Sequence, residues 1–276
     1  MRIVSKNVRV IIVGGFCVVT VWFFVLAGEP ASSHLLYLLD VGQGDASLLR
    51  LDGQTILVDV GKDVSVVREL DKIGIPGRNI DMVFLSHPQV DHAGGMIDVV
   101  RHYKIGVVVY NGHHTTLWQN ISAVLEEEDI PFLALFDGDK IRMENWSVEV
   151  IWPSDEIYEE DNDRSLVLKF EGPDFSALFT GDISSDVEKR LVQSDIDVDV
   201  LKVPHHGSKY SSSKQFLEWV SPLVSLIGVG KNSYGHPTKE VLGRLGEVGS
   251  LIFRSDMYGS VYVAREDEVL KVYPAY

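Results

Sequence analysis

The sequence predicts an α/β fold in which two β-sheets are flanked by helices. Short apolar segments of strand length alternate with segments whose apolar residues recur at helical spacing. Residues 165–182 have the pattern of an antiparallel hairpin, which favours two sheets over one all-parallel sheet. The chain has 276 residues, of which 45% are hydrophobic and 24% charged, so it is long enough to bury such a core.

The elements follow in order along the chain. In the first half, strands are predicted at 34–41, 46–51, 55–60, 81–87 and 105–111, and helices at 64–74, 94–103 and 115–129. In the second half, strands are predicted at 147–153, 165–172, 175–182, 199–207, 224–230, 250–255 and 259–265, and helices at 186–195, 213–222 and 239–249. The strand at 199–207 is expected to run into a loop.

The N-terminus carries a run of eighteen uncharged, mostly apolar residues at 10–27, preceded by Arg2, Lys6 and Arg9. As a helix the run is ~27 Å long, enough to span a bilayer core, and the preceding positive charge favours an N-inside orientation. We predict a signal anchor over 1–30 and a domain over 31–276 outside the cytoplasm. A signal peptide cleaved after export and a buried core helix are the alternatives.

Charge and cysteine content exclude several classes of protein. The net charge of −15 repels polyanions at long range, which counts against a protein that grips DNA through a basic face. A nuclease stays open, because bound divalent metal can reverse the charge inside a site. Cys17 is the only cysteine, so the chain has neither an intramolecular disulfide nor a cysteine-based zinc site.

Metal-ligand residue types follow four predicted strands. Imidazole and carboxylate ligands together suit a cation of borderline hardness, such as Zn or Mn. One such segment alone is also compatible with a solvated loop, but four strand ends with Gly or Pro alongside are not typical of scattered histidines. The residues are His87, Asp91, His92, Asp182, His205, His206 and His236.

These segments resemble the metallo-β-lactamase superfamily and, more narrowly, the hydrolase domain of ComEC-type competence proteins. The resemblance runs from about residue 35 to the C-terminus and implies a four-layer αββα sandwich. It also implies metal-dependent phosphodiester hydrolysis. Because only one candidate membrane span exists, we expect that this chain is not itself a DNA channel. The matching segments are DVGQGDA (40–46), ILVDVG (56–61), SHPQVDHAGG (86–95), FTGD (179–182), KVPHHGS (202–208) and YGHP (234–237).

The resemblance implies a set of five metal ligands. His87 would bind the first metal position. Asp91 and His92 would bind the second, with Asp182 bridging or serving it and His236 as its final ligand.

Other roles follow from the same resemblance. Asp59 would orient the metal loop, and Asp91 and Asp182 could also accept a proton from water. His205 and His206 resemble a substrate-facing pair, one of which either protonates the leaving group or binds metal.

Three residues near the late segments are candidate phosphate contacts: the backbone of Gly207 and the side chains of Ser208 and Asn232. His113 and His114 match no ligand position of the family and are predicted to be loop residues.

The sequence departs from the superfamily pattern at the first metal position. Gln89 stands where the second metal-loop histidine is usual, and an amide is a poor zinc ligand. The middle-strand histidine is also missing; Asn162, Asp163 and Ser165 occupy that stretch. We therefore predict one tight site for Zn or Mn, with a second site weak or absent.

Three functions remain open. The first is a phosphodiesterase or nuclease outside the cytoplasm, with DNA as one candidate substrate. The second is a metallohydrolase of another small ester, lactone or amide, and the third, motivated by Gln89, is a non-catalytic membrane-anchored binding module. The oligomeric state is not predicted. Four lysines flank the late segments, either as a positive groove or as ordinary solvated side chains: Lys202, Lys209, Lys214 and Lys231.

Overall fold

The computed structural model describes residues 11–12, 34–153, 160–192 and 194–276. Its strands are β1 (Ile11–Ile12), β2 (His34–Leu38), β3 (Ala46–Leu51), β4 (Gln54–Val60), β5 (Asn79–Leu85), β6 (Lys104–Tyr110), β7 (Phe132–Ala134), β8 (Lys140–Arg142), β9 (Ser147–Trp152), β10 (Val167–Glu171), β11 (Ser176–Phe179), β12 (Val200–Lys202), β13 (Val224–Ile227), β14 (Leu251–Arg254), β15 (Val261–Glu266) and β16 (Val269–Pro274).

The described α-helices are α1 (Ser65–Ile73), α2 (Val90–Ala93), α3 (Met96–His102), α4 (Thr116–Glu127), α5 (Ser185–Leu191), α6 (Lys214–Val220), α7 (Lys239–Glu247) and α8 (Ser255–Tyr258). Short 3₁₀ turns occur at Pro76–Arg78, Asn162–Arg164 and Pro204–Gly207.

The strands form two mixed sheets. The first has the order β1-β16-β15-β2-β3-β4-β5-β6-β7, and the second has the order β14-β13-β12-β11-β10-β9-β8. In the second sheet β10 and β11 pair antiparallel, which confirms the predicted hairpin. Strands β11 to β14 then run parallel, so the loops after β11, β12 and β13 leave the same edge of the sheet.

The two sheets face each other across an apolar core, and helices cover both outer faces. Phe84 of β5 and Phe170 of β10 meet edge to face at 5.9 Å between ring centroids, so the inner faces interdigitate. Outside the first sheet, Trp118 of α4 stacks on Tyr110 of β6 at 3.7 Å. Phe216 of α6 packs on the outer face of the second sheet. The order helix, sheet, sheet, helix confirms the predicted αββα sandwich.

The predicted helix at 94–103 begins differently from what periodicity indicates. The chain forms α2 first and then α3, with Gly94 and Gly95 between them. A Cβ at Gly94 would lie 2.4 Å from the carbonyl oxygen of Lys62, and one at Gly95 would lie 2.3 Å from that of Val60. The close passage of the metal loop over the first sheet therefore requires glycine at both positions.

The predicted membrane helix at 10–27 lies outside the described residues, apart from Ile11–Ile12, which form a strand parallel to β16. Among the helices of the described residues, none combines the length and apolar character needed to cross a bilayer. The division into 1–30 and 31–276 stays a prediction.

Candidate metal centre

The site lies where the loops after β4, β5, β11 and β12 converge. His92 is fixed from the β4 side by Asp59, whose Oδ2 accepts a hydrogen bond from Nδ1 of His92 at 2.8 Å. The Asp59 carboxylate also accepts from the backbone N–H of Ser86 at 2.7 Å and from its hydroxyl at 2.8 Å. Asp59 itself has a φ of 59°, a left-handed conformation that an aspartate adopts only at a cost. The strained residue thereby sets the orientation of the metal loop.

The hydrogen bond to Asp59 leaves Nε2 of His92 facing Asp182. Nε2 lies 3.2 Å from Oδ1 of Asp182, and neither atom has a hydrogen-bond partner although both are buried. With the proton on Nδ1, two acceptors face each other at this distance. Such a contact is favourable only when a cation or a proton lies between them.

His87 presents a lone pair in the same way. Its Nδ1 lies 3.0 Å from the hydroxyl of Ser86 and 3.3 Å from that of Ser165. The Ser86 hydroxyl already donates to Asp59, and that of Ser165 donates to the carbonyl of Asn162 at 2.7 Å. Both serine oxygens therefore accept from Nδ1 of His87, and its buried Nε2 is left without a partner.

His206 lies inside the cluster, and its neighbour His205 lies at the rim. Nδ1 of His206 donates to the carbonyl of Gly228 at 2.8 Å. Its Nε2 lies 3.4 Å from Oδ2 of Asp91 and 3.6 Å from Oδ2 of Asp182. His205 is 31% exposed, with Nε2 3.9 Å from Oδ2 of Asp182. Both histidines have left-handed backbone conformations, which turn two consecutive imidazoles toward one carboxylate.

The residues fit a divalent cation. Four groups of described side chains hold their ligand atoms within 4.8 Å of one another, and two of these do not involve Asp45: His87, His92 and Asp182, and Asp91, His92 and His206. Nε2 of all three histidines is buried and lacks a hydrogen-bond partner. Buried polar atoms are rarely left unpaired, and imidazole with carboxylate is the usual donor set for Zn or Mn.

The charges of the cluster favour a positive species at the imidazoles, either a proton or a cation that replaces it. Burial lowers the pKa of His92, but the carboxylates of Asp182 and Asp59 outweigh it and hold that pKa well above 6.5. Burial would raise the pKa of Asp182, yet the positive charges of His92 and His206 hold it well below 3.8. Burial lowers the pKa of His87 to about 3, and the charge of His92 acts in the same direction, so His87 is neutral at pH 7.

The first metal position is poor in ligands, as the sequence indicates. The amide of Gln89 donates to Oδ1 of Asn162 at 2.5 Å, so the two side chains are paired with each other. Ser165 occupies the space beside His87, where a Cβ on Gly181 would meet it at 2.6 Å. Among the described residues, this position therefore has one imidazole of its own, His87, and its other two ligand candidates, His92 and Asp182, belong to other ligand groups of the cluster as well.

His236 lies outside the ligand groups found among the described residues. It is half-buried, and its ring centroid is 5.6 Å from that of His205. Asn232 shapes the loop that carries it: Oδ1 accepts from the backbone N–H groups of Tyr234, Gly235 and His236 at 2.9–3.1 Å. Its Nδ2 donates to the carbonyls of Gly230 and His236.

Gly207 and Ser208 are buried behind His206. The carbonyl of Gly207 accepts from the N–H of Thr238 at 2.9 Å, and the Ser208 N–H donates to the carbonyl of His205 at 2.9 Å. The Gly207 carbonyl thus joins the two histidine loops, whereas the Ser208 N–H closes the turn that carries His205 and His206. His113 and His114 lie in the loop between β6 and α4, as predicted, and belong to none of the ligand groups found in the described residues.

Sequence reasoning gave no role to Asp45, and it placed Lys202 among flanking or solvated lysines. That interpretation of Lys202 is wrong, because its side chain is 3% exposed and its ammonium lies 2.5 Å from Oδ2 of Asp45. Oδ1 of Asp45 lies 3.2 Å from Nδ1 of His206. An aspartate inside the segment DVGQGDA was the available signal for this contact.

Comparison with known proteins places these features in a family. The model of the metallo-beta-lactamase superfamily matches residues 39–230. The chain is 26% identical over 294 aligned positions to ComE operon protein 3 of Bacillus subtilis, covering 97% of this chain and 38% of that protein. It is 28% identical to Competence protein ComA of Neisseria gonorrhoeae, covering 84% of this chain and 32% of that protein. The chain therefore spans about a third of the length of these relatives.

Among solved structures, the metallo-beta-lactamase fold protein YhfI of Bacillus subtilis matches with a TM-score of 0.58 at 10% identity, covering 82% of this chain and 98% of that one. This likeness shows the fold. The segment that the family model matches, residues 39–230, includes the loops that carry the candidate ligands His87, Asp91, His92, Asp182 and His206. The chain belongs to the metallo-β-lactamase superfamily, with relatives among the ComEC-type competence proteins.

Proposed function

We propose that the chain is a metal-dependent phosphodiesterase that acts on nucleic acid. The observation that carries the proposal is the gradation of burial across the cluster. Three buried imidazoles present free Nε2 atoms to Asp182 and Asp91, and His205 stands 31% exposed at the rim. A buried cation-binding group next to an accessible acid–base residue is the arrangement that hydrolysis of a phosphate ester requires.

Different residues of the chain take different roles in the proposed hydrolysis. When bound to these side chains, a divalent cation polarises the ester and lowers the pKa of water. Asp91, whose side chain is 34% exposed, is the carboxylate best placed to accept a proton from water at the mouth of the site. His205 donates a proton to the leaving group, since it lies on the solvent side of Asp182. His206 serves as a ligand, because its Nδ1 donates to the carbonyl of Gly228 and its buried Nε2 is left facing Asp91.

Aromatic and basic side chains beside the site favour a polynucleotide over a small ester. Tyr210 is 67% exposed and Tyr234 is 74% exposed, and they lie on the two loops joined by Gly207 and Thr238. The ammonium of Lys209 lies 5.0 Å above the ring of Tyr210. Base stacking on exposed aromatic rings is insensitive to sequence and contributes ~1–3 kcal/mol per base. Lys209 also gives this face positive charge in an otherwise acidic protein.

We further propose one tight metal, Zn or Mn, held by His92 and Asp182 together with Asp91 and His206. The pairing of Gln89 with Asn162 supports a weak or absent second metal beside His87.

A location outside the cytoplasm is part of the proposal. It rests on the uncharged run at 10–27 and the preceding Arg2, Lys6 and Arg9, which are typical of an anchor with its N-terminus inside. Ile11–Ile12 pair with β16 as a strand, and a membrane helix over 10–27 is a different arrangement of the same residues. A membrane-washing experiment distinguishes the two. Retention of the full chain in the membrane fraction after alkaline washing supports the anchor. Release of the intact chain by that wash would support the strand.

The function is tested with the full chain, bis-p-nitrophenyl phosphate, and single- and double-stranded DNA, each with Mn or Zn. We expect metal-dependent turnover that is lost in the double variant His92→Ala, Asp182→Ala. The matched control is His102→Ala, Asp186→Ala, which removes an exposed histidine and an exposed aspartate. Turnover of esters, lactones or amides but not phosphodiesters would redirect the proposal to another small substrate. A folded, metal-loaded protein without any turnover would support the binding module instead.

A further inference from the structure

A buried ion pair lies directly behind the metal centre. Asp45 and Lys202 are each 3% exposed, and their oppositely charged atoms are 2.5 Å apart. The ammonium makes one further hydrogen bond, to the carbonyl of Val203 at 3.1 Å. Removing two charges from water costs several kcal/mol for each ion, so an isolated pair at this depth is poor evidence of a stabilising role. Its position points to another role.

Asp45 contacts both halves of the site. Its backbone N–H donates to the carbonyl of Asp91 at 3.0 Å, and its carbonyl accepts from the N–H of Gly61 at 2.8 Å. Its Oδ1 lies 3.2 Å from Nδ1 of His206, on the opposite sheet. A Cβ on Gly228, the residue whose carbonyl also holds His206, would lie 2.3 Å from Oδ1 of Asp45. Asp45 thus packs against the backbone of the metal loop and against the ring of His206.

Asp45 is also a potential metal ligand. Its carboxylate, that of Asp182 and the ring of His206 hold their ligand atoms within 4.8 Å of one another, which is the same criterion that the two proposed ligand groups meet. What distinguishes this third group is Lys202, whose ammonium occupies Oδ2 of Asp45. The other carboxylate oxygen, Oδ1, is buried without a hydrogen-bond partner and faces the His206 ring.

We propose that Asp45 and Lys202 form a positioning pair. Lys202 balances the charge of Asp45 and fixes its carboxylate, and Asp45 in turn packs against Nδ1 of His206 and keeps that ring facing Asp91 and Asp182. The pair acts on the metal through His206 and does not touch it. This inference rests on the proposed metal centre, and it concerns how tightly the cation binds there.

The proposal predicts opposite effects for the two partners. Lys202→Met leaves the Asp45 carboxylate without its counter-charge. Because the third group shares Asp182 and His206 with the proposed metal site, we expect this variant to bind the same number of metal ions as the wild type but more tightly, since a buried negative charge is added beside the cation. Asp45→Asn leaves an unpaired ammonium beside His206. Because the loss of a residue that orients a ligand typically costs about 10–100-fold in metal affinity, we expect a loss of that size.

The double variant Asp45→Asn, Lys202→Met is the control for misfolding of the single variants, because it removes both buried charges and leaves no uncompensated ion. We expect it to unfold at a temperature close to that of the wild type, to bind the wild-type number of metal ions, and to bind them more weakly than the wild type.

The experiment is calorimetric titration of Mn or Zn alone into the chelator-treated full chain and its three variants, with bound metal counted by elemental analysis. Tighter binding in Lys202→Met at the wild-type metal content, and weaker binding in Asp45→Asn, support the pair. Equal affinity and equal metal content in all four proteins, with only their stabilities changed, would show a purely structural ion pair. A wild type that binds no metal would overturn the metal centre itself, and the pair's role with it.

Discussion

Asp59 holds Nδ1 of His92 at 2.8 Å, and this contact decides which nitrogen of His92 faces Asp182. Asp59→Asn keeps the size of the side chain but changes its hydrogen bonding, because the amide can donate where the carboxylate accepts. We expect metal affinity to fall by about 10–100-fold, the usual loss when a carboxylate behind a ligand histidine is removed. Titration calorimetry with Mn or Zn measures it.

The matched control for this substitution is Asp186→Asn, because that carboxylate is exposed and pairs with Lys189 at the surface. Unchanged affinity in Asp59→Asn, at a stability like that of the control, would contradict an orienting role for Asp59.

Gln89→His supplies the imidazole that the superfamily usually has in the metal loop. The substitution breaks the pairing with Asn162 and adds a nitrogen ligand close to His87. We expect the bound metal to increase from about one to about two equivalents per chain. Elemental analysis after gel filtration decides the question, and two tightly held ions in the wild type would refute the one-metal account.

Tyr210→Ala and Tyr234→Ala test the stacking surface. Both rings are exposed and neither belongs to a ligand group of the described residues, so we expect metal binding and turnover of bis-p-nitrophenyl phosphate to stay unchanged. KM for single-stranded DNA should rise about fivefold or more for each variant, in line with the loss of ~1 kcal/mol or more of stacking. Trp219→Ala, an exposed aromatic residue on α6, is the control. Equal losses in all three variants would argue against a defined surface.

We expect the buried carboxylate of Glu188 to make the free energy of unfolding depend on pH. Its carboxylate is buried between α5 and α6 and accepts from the backbone N–H groups of Ser212 and Ser213. Burial raises its pKa from 4.5 to about 7 in spite of these contacts. Since the folded chain binds this proton more tightly than the unfolded chain, the stabilisation is complete below pH 4.5 and is lost as the pH rises through about 7.

The free energy of unfolding should therefore fall by up to about 3 kcal/mol over that range. Glu188→Gln removes this contribution, whereas Glu218→Gln, on the exposed side of α6, leaves it in place. Urea unfolding in metal-free buffer between pH 4.5 and 8 gives the three curves. Parallel curves for wild type and Glu188→Gln would show that the carboxylate stays ionised throughout.

The sandwich could be predicted because its central strands are long and apolar, with turn residues between them. Strands β7 and β8 were missed since each has three residues and is only partly buried. β16 was missed because Lys271 and the neighbouring tyrosines interrupt its apolar pattern. Their pairing depends on the neighbouring strand, which local sequence does not reveal.

The candidate site was predicted as a collection of ligand types, but its internal order was not. His205 and His206 are adjacent and chemically identical, and only their left-handed backbone conformations place one inside and one at the rim. Lys202 is the last residue of the apolar strand β12 and in sequence resembles a surface lysine. Its partner Asp45 is 157 residues away in the chain, so their contact exists only in the folded protein.

The central claim is that the buried histidine and aspartate cluster holds the metal on which hydrolysis depends. The most direct test removes metal from the full chain with a chelator, returns Mn or Zn in steps, and follows bound metal and bis-p-nitrophenyl phosphate turnover in the same samples. We expect turnover to rise in proportion to the first equivalent bound and then to level off, and we expect the double variant His92→Ala, Asp182→Ala to show neither binding nor turnover. Turnover that persists in the metal-free chain, or that survives in the double variant, would contradict the account.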